Sequence, residues 1–175
     1  MIPRYFDTNA LVYAAQARKQ VSGWDERLQK YGDLVVSMLD AEEEGFISEL
    51  TVWEFENTIA KIARRTEFDV RSFDAEWMAE QMGRLMRLIL NGGLTVVPTH
   101  PRTLEHASAL VRRGAESGRA LFLWDSAHVI TAAKLSREHG EKVSLVTADD
   151  DFSTILEVFS GFRNFIEICD LRALS

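Results

Sequence analysis

The chain has 175 residues, enough for one domain with a sizeable buried core. Apolar residues make up 46%, charged residues 27%, and only three are proline, which excludes a disordered or fibrous chain. The net charge of −7 weighs against a protein that grips nucleic acid through bulk basicity, although carboxylates gathered to hold cations would also count as negative here.

No apolar run approaches bilayer length, and the opening MIPRYFDTNA has no signal-peptide core. With Cys169 as the single cysteine, no internal disulfide can form. A reducing compartment such as a bacterial or archaeal cytoplasm is expected.

The apolar pattern predicts a first strand over Ile2–Phe6, then helices over Ala10–Arg18 and Asp25–Glu44. Leu28, Tyr31, Val35, Met38 and Leu39 mark the buried face of the second helix, which Gly45 is read as closing. A short strand over Phe46–Ser48 leads into a helix over Glu49–Arg65, with Val52, Phe55, Ile59 and Ile62 on one face. Arg71–Asn91 is another helix; its stripe of Phe73, Trp77, Met82, Leu85 and Ile89 reads as core, and Gly92-Gly93 stops it. A strand over Leu94–Val97 ends at Pro98. Helices follow over Thr103–Ser117 and Asp125–His139, then a strand over Val143–Val146, a short helix over Ser153–Phe159 and a last strand over Phe165–Cys169. Arg64-Arg65, Arg84, Arg87, Arg112-Arg113 and Arg119 read as solvated helix faces.

Strands that alternate with helices predict a parallel sheet covered on both faces, a three-layer α/β/α domain with five strands. In such sheets sites form beyond the carboxyl ends of the strands, where the strand order reverses. The acids fall there. Asp7 follows the first strand; Glu54 lies in the first two turns of the helix after the second; Asp149 and Asp151 follow the fourth. Asp125 joins them if its helix begins at the same edge. Each has a plain structural explanation as a helix cap or a solvated acid near a helix N-terminus: Asp7 or Asn9 for the first helix, Asp125 with Trp124 and Val129 as a staple, Asp150 or Asp151 for the helix near Ser153. Four such caps on one side of one sheet is the less economical account.

Convergent carboxylates with no interposed base suit hard cations such as Mg²⁺ or Mn²⁺, which take oxygen ligands and complete their shell with water and phosphate. Two such ions would hold the attacking water and the leaving oxygen of a phosphodiester. Competing chemistries lack their motifs: there is no phosphate-binding glycine loop, no nucleophile elbow and no paired zinc-binding histidines. Cys169 and His128 are read as packing residues, with an accessory role open to His128 because it stands three residues after Asp125 on the same helix face.

The motifs DTN at 7–9, SELTVWEF, WDSAHVITAA and TADDDF are similar, in order and spacing over nearly the whole chain, to the acidic motifs of the PIN domain. The resemblance implies a parallel sheet of strand order 3-2-1-4-5 and an Mg²⁺- or Mn²⁺-dependent ribonuclease. Asp7, Glu54, Asp125 and Asp149 take its four acidic positions and Asp151 the extra acid of the last motif. Thr8, Asn9 and Thr147 fall at polar positions beside the site, and Asp150 is expected to face solvent. Within the family the chain most resembles VapC-type toxins, which implies a homodimer, an RNA substrate and an antitoxin partner. Two alternatives stay open: a non-catalytic PIN-like module that binds RNA or protein, and a phosphatase on a similar sheet. The phosphatase pattern needs an acid where Asn9 stands.

Overall fold

Five short strands run parallel in the order β3-β2-β1-β4-β5: β1 (Arg4–Phe6), β2 (Gly45–Ser48), β3 (Thr95–Val97), β4 (Val143–Thr147) and β5 (Ile166–Asp170). They belong to a computed structural model that describes residues 2–17, 26–41, 44–64 and 74–174. The helices are α1 (Thr8–Ala17), α2 (Glu26–Asp40), α3 (Glu49–Ala63), α4 (Ala75–Leu90), α5 (Pro101–Glu116), α6 (Leu123–His139) and α7 (Asp150–Val158). The sheet, its order and its two helical layers are those expected from the sequence. The ends predicted at Arg18, Asp25, Arg65 and Arg71, and the stripe residue Phe73, lie outside the described residues.

The two-residue period of a strand sorts the core into two layers. Phe6, Ile47 and Val146 join the layer built by α1 to α4, with Val35, Phe55, Ile59 and Leu85. Tyr5, Phe46 and Leu145 join the opposite layer, with Val129 and Ala132 of α6 and Phe152 and Ile155 of α7. Register fixes the faces: Tyr5 pairs with Phe46 and Leu145, and Phe6 with Val146. Each fully buried side chain of this kind stabilises the fold by about 1.5–3 kcal/mol, so a one-residue slip, which would reverse every face, is strongly disfavoured.

Several predicted boundaries move. Gly45 opens β2 instead of closing α2; a Cβ there would come within 2.8 Å of Leu94 Cδ2 and 2.9 Å of the Gly93 carbonyl oxygen. Its glycine thus serves close strand packing rather than a helix stop. Pro101 occupies the first turn of α5, where its missing N–H costs nothing, and His100 Nδ1 accepts the Arg102 N–H at 3.2 Å. The start of α6 is Leu123, because the Phe122 carbonyl already accepts the Ser126 N–H. Asp125 is therefore inside the first turn, not the cap. Likewise α7 starts at Asp150, three residues before the predicted Ser153, and its cap is Asp149.

β1 is central, with β2 and β4 on either side. The chain leaves β1 toward β2 and β3 and later returns to the other side of β1 as β4. The order therefore reverses between β1 and β4, and the residues just beyond both strands, Asp7 and Asp149, face one crevice.

Candidate active site

Asp7 ends β1 and precedes α1. Its backbone N–H extends the ladder to the Val146 carbonyl at 3.1 Å, which fixes the side chain beside the end of β4. The carboxylate is 3% exposed, and both its oxygens are engaged. Oδ1 accepts the Thr8 N–H at 2.6 Å, and Oδ2 accepts the Thr147 hydroxyl at 3.1 Å. Burial raises the Asp7 pKa, against the opposing pull of His128 and these two hydrogen bonds.

Thr147 links the two central strands. Its hydroxyl oxygen also accepts the Asp149 N–H at 3.0 Å. Asp149 Oδ1 then takes the Asp151 N–H at 3.0 Å, and Oδ2 lies 3.4 Å from the Asn9 amide nitrogen. A continuous hydrogen-bonded path thus runs from Asp7 through Thr147 to Asp149. The expected neighbours Asn9 and Thr147 contact site acids, and Asp151 contacts Asp149 through its backbone rather than its carboxyl group. Burial, then the charges of Asp149 and Asp150, raise the Asp151 pKa.

Glu54 reaches the same region from α3. Helical spacing places it one turn beyond the capping box in which Ser48 and Thr51 bond each other's backbone N–H groups. Its Oε2 accepts the Thr8 hydroxyl at 2.6 Å and lies 3.0 Å from His128 Nε2. Burial raises the Glu54 pKa, but the hydrogen bond and charge of His128 outweigh it and leave the pKa lowered. Glu54 is therefore a carboxylate, and His128 must donate from Nε2.

His128 is the residue that sequence reasoning undervalued. It is fully buried, its Nδ1 lies 2.7 Å from the Tyr5 hydroxyl, and Tyr5 is fully buried as well. Burial lowers the His128 pKa, yet Tyr5, Glu54 and Asp7 raise it well above its ordinary value. The spacing Asp125-x-x-His128 was the available signal. What it could not supply was the partner, since Glu54 and Tyr5 are 74 and 123 residues away in sequence.

Asp125 enters from the first turn of α6. Burial, then the charges of Asp149 and Asp7, raise its pKa to about 7. Four acids from four segments thus share one field, and three of them (Asp7, Glu54 and Asp149) are joined through Thr8 and Thr147. Asp150 faces solvent, as expected, and pairs with Arg172 at 2.5 Å; Arg172 also holds Asp170 at 2.7 Å.

Among the described residues, no three His, Cys, Asp or Glu side chains are already drawn round one point as an ion would hold them. The donor set nevertheless fits a hard cation. It is all oxygen, and the upward pull on Asp125 by its acidic neighbours is the excess negative field that a divalent ion would offset.

No curated protein matches the sequence. Solved structures share the fold. A chain of the DNA-bound VapBC complex from Salmonella typhimurium superposes with a TM-score of 0.54 at 15% identity, covering 98% of this chain and 99% of that one. A chain of VapBC2 from Rickettsia felis, bound to a DNA fragment from their promoter, gives 0.55 at 16%, covering 97% and 100%. FitAcB from Neisseria gonorrhoeae gives 0.57 at 16%, covering 98% of each. The PIN domain model matches residues 4–157, a span that holds the whole acidic centre; the chain therefore belongs to the PIN domain family, whose members are in general nucleases.

Proposed function

We propose that the protein is a metal-dependent endoribonuclease, the toxin of a toxin–antitoxin pair. The observation that carries this reading is the coupled carboxylate set: Glu54 and Asp7 joined through the hydroxyl and backbone N–H of Thr8, Asp7 and Asp149 through the Thr147 hydroxyl, with Asp125 raised to about 7 by burial and then by the charges of Asp149 and Asp7. Asp7, Glu54, Asp125 and Asp149 would hold Mg²⁺ or Mn²⁺, with Asp151 in support. When bound, the ion supplies an activated water and neutralises charge on the phosphoryl group.

The chain's own residues do the positioning. Thr147 orients Asp7 and, through its backbone contact, Asp149; Thr8 orients Glu54; Asn9 approaches Asp149. His128 and Tyr5 form a buried strut behind Glu54 that fixes its Oε2, while Oε1 takes no hydrogen bond among the described residues. Trp53, Phe122 and Trp124 are 69%, 58% and 44% exposed, each within three residues of a site acid. Aromatic faces beside a phosphodiester-cleaving centre suit stacking of unpaired bases, which supports RNA over duplex DNA as substrate.

The fold shared with chains of the VapBC and FitAcB structures supports a cognate antitoxin as a further part of this reading, and a homodimer belongs to it through the sequence resemblance alone. Residues 1–175 would act as a single PIN domain in the cytoplasm; no described helix is long and apolar enough to cross a membrane.

The test is cleavage of RNA by purified protein with Mn²⁺, beside EDTA and Asp7→Asn controls. Cleavage lost in both controls supports the assignment. Cleavage that survives Asp7→Asn removes the site. An intact chain that binds Mn²⁺ yet cuts no RNA returns the protein to the non-catalytic module.

A further inference from the structure

A large concavity away from the acidic centre has the opposite chemistry. A cleft of about 620 Å³ lies between α5 and α6, with Phe162 from the turn after α7 at one side. Its walls carry Arg102, His106 and Arg113 from α5 and Lys134 and Arg137 from α6. Its floor is apolar: Leu110 and Ala133 are 9% and 3% exposed. Among the described residues, no acidic side chain lines it.

Helical spacing explains how the basic side chains meet. Arg102, His106 and Arg113 stand at intervals of four and seven, one stripe of α5; Lys134 and Arg137 are three apart on α6. The doublet Arg112-Arg113, read from sequence as a solvated face, is thereby divided, since only Arg113 lines the cleft. Two of the four Arg and Lys side chains have companions: Lys134 lies 3.6 Å from Glu138, and Arg137 stacks 4.5 Å over the Phe165 ring. The side chains of Arg102, His106 and Arg113 make no hydrogen bond or ion pair among the described residues. In a chain of net charge −7, cations concentrated on a concave wall without acids between them repel one another, and that arrangement is stabilised by an anion.

The cleft is not an extension of the acidic centre. Lys134 follows Asp125 by nine residues on α6, which is about 14 Å along the helix and half a turn round it. An RNA that touches both must fold over α6, which a structured RNA can do and a dinucleotide cannot.

We propose that this cleft is a second RNA-binding site, in which the phosphates of a structured RNA meet the α5 and α6 cations and an unpaired base meets Phe162 at its side. This rests on the ribonuclease reading and extends it: the acidic centre cuts, and the basic cleft selects folded RNA by its backbone.

The test is binding of a labelled stem–loop RNA with a single-stranded tail, in EDTA and in an Asp7→Asn background, so that binding is read without cleavage. Arg102→Glu with Arg113→Glu is expected to weaken binding at least about tenfold and to reduce the salt slope by about 1.4, the release of two single-strand phosphate contacts. Arg112→Glu, on the same helix outside the cleft, is expected to stay within about twofold of the parent. If the double reversal distorts the fold by circular dichroism, Arg102→Gln with Arg113→Gln carries the same expectation at smaller size.

Unchanged affinity and slope in the paired variant would overturn the proposal. So would an equal loss from Arg112→Glu, or a parent that binds an acidic peptide there and no RNA. Failure of the two readings is distinguishable. Protein that cuts RNA but binds it independently of Arg102 and Arg113 loses the cleft alone. Protein that binds through the cleft but cuts nothing loses the nuclease and keeps the cleft.

Discussion

Glu54 and Asp125 are both carboxylates at one crevice, both on helices and both partly buried, yet their environments push them in opposite directions. Glu54 faces a buried imidazole and a threonine hydroxyl, which stabilise its anion and lower its pKa. Asp125 has burial and the charges of Asp149 and Asp7 against it, and rises to about 7. The same functional group is thus set as a permanent anion on one side of the site and as a proton acceptor on the other. The difference lies in the neighbours rather than in the acids. The Glu54 side is hydrogen-bonded to its counter-charge, His128, whereas on the Asp125 side the pull of His128 is outweighed by burial and by the charges of Asp149 and Asp7.

The largest expected effect comes from removing the charge both sides share. Asp7→Asn should lower RNA cleavage by about 10²–10³-fold or more while the fold survives, because loss of a desolvated charge offsets the amide NH2 that replaces one of its two acceptor oxygens. Both cleavage and melting must be read, since an unfolded variant would also be inactive.

His128→Ala attacks the Glu54 side directly. It empties a fully buried site and leaves Glu54 and Tyr5 without their partner, at a cost of about 3 kcal/mol, or a melting point lower by roughly 6–12 °C for a chain of this size. Titration of the Glu54 carboxyl by carbon NMR should show its pKa raised in this variant. An unchanged Glu54 would mean that the imidazole is packing only.

Mn²⁺ acts on the Asp125 side. At about 100 times its dissociation constant it should add about 2.7 kcal/mol, or roughly 5–10 °C in melting temperature. Asp125→Asn should shrink that gain more than Thr8→Val does. Equal gains in the two variants would separate the ion from Asp125.

In the metal-free protein the two sides should also differ in pH dependence. The folded pKa of Glu54 is below its unfolded value of 4.5, so its stabilisation is present above 4.5 and lost as pH falls through the lower folded value. The folded pKa of Asp125 is above its unfolded 3.8, so its stabilisation is full below 3.8 and lost as pH rises through about 7. Asp7, raised by burial, adds to the second slope. Melting temperature against pH should therefore climb on the acid side and decline toward neutrality. Asp125→Asn should flatten the decline without touching the climb.

Thr8→Val sharpens the comparison with the smallest change. Loss of the 2.6 Å hydroxyl contact to Glu54 should cost about 1 kcal/mol and roughly 2–4 °C, with a modest rise in the Glu54 pKa. Asp125 should titrate as before.

The identities of the acids were legible in the sequence, because DTN and TADDDF stand at strand ends whatever the rest of the chain does, whereas which layer Tyr5 and Phe6 each join came from the packing. Helix starts were less legible. Asp125, and Asp150 or Asp151, were expected as caps, and only the observed backbone bonds show that Asp149 caps its helix while Asp125 lies inside its own. The basic cleft was illegible for a different reason: no single segment is notably basic, and Arg102, Arg113, Lys134 and Arg137 gather only when α5 packs on α6.

The sequence by itself therefore determined the α/β/α class, the strand order through the PIN-like motifs, and which carboxylates stand at the carboxyl edge. Tertiary structure alone decided that Glu54 is held by His128, 74 residues away, that His128 is backed in turn by Tyr5, 123 residues from it, and that Asp125 has no comparable hydrogen-bond partner among the described residues. The physical reason is one of range. Periodicity and capping are settled within a few residues, whereas desolvation and charge are sums over everything that packs nearby, and a chain's neighbours in space are set only when it folds.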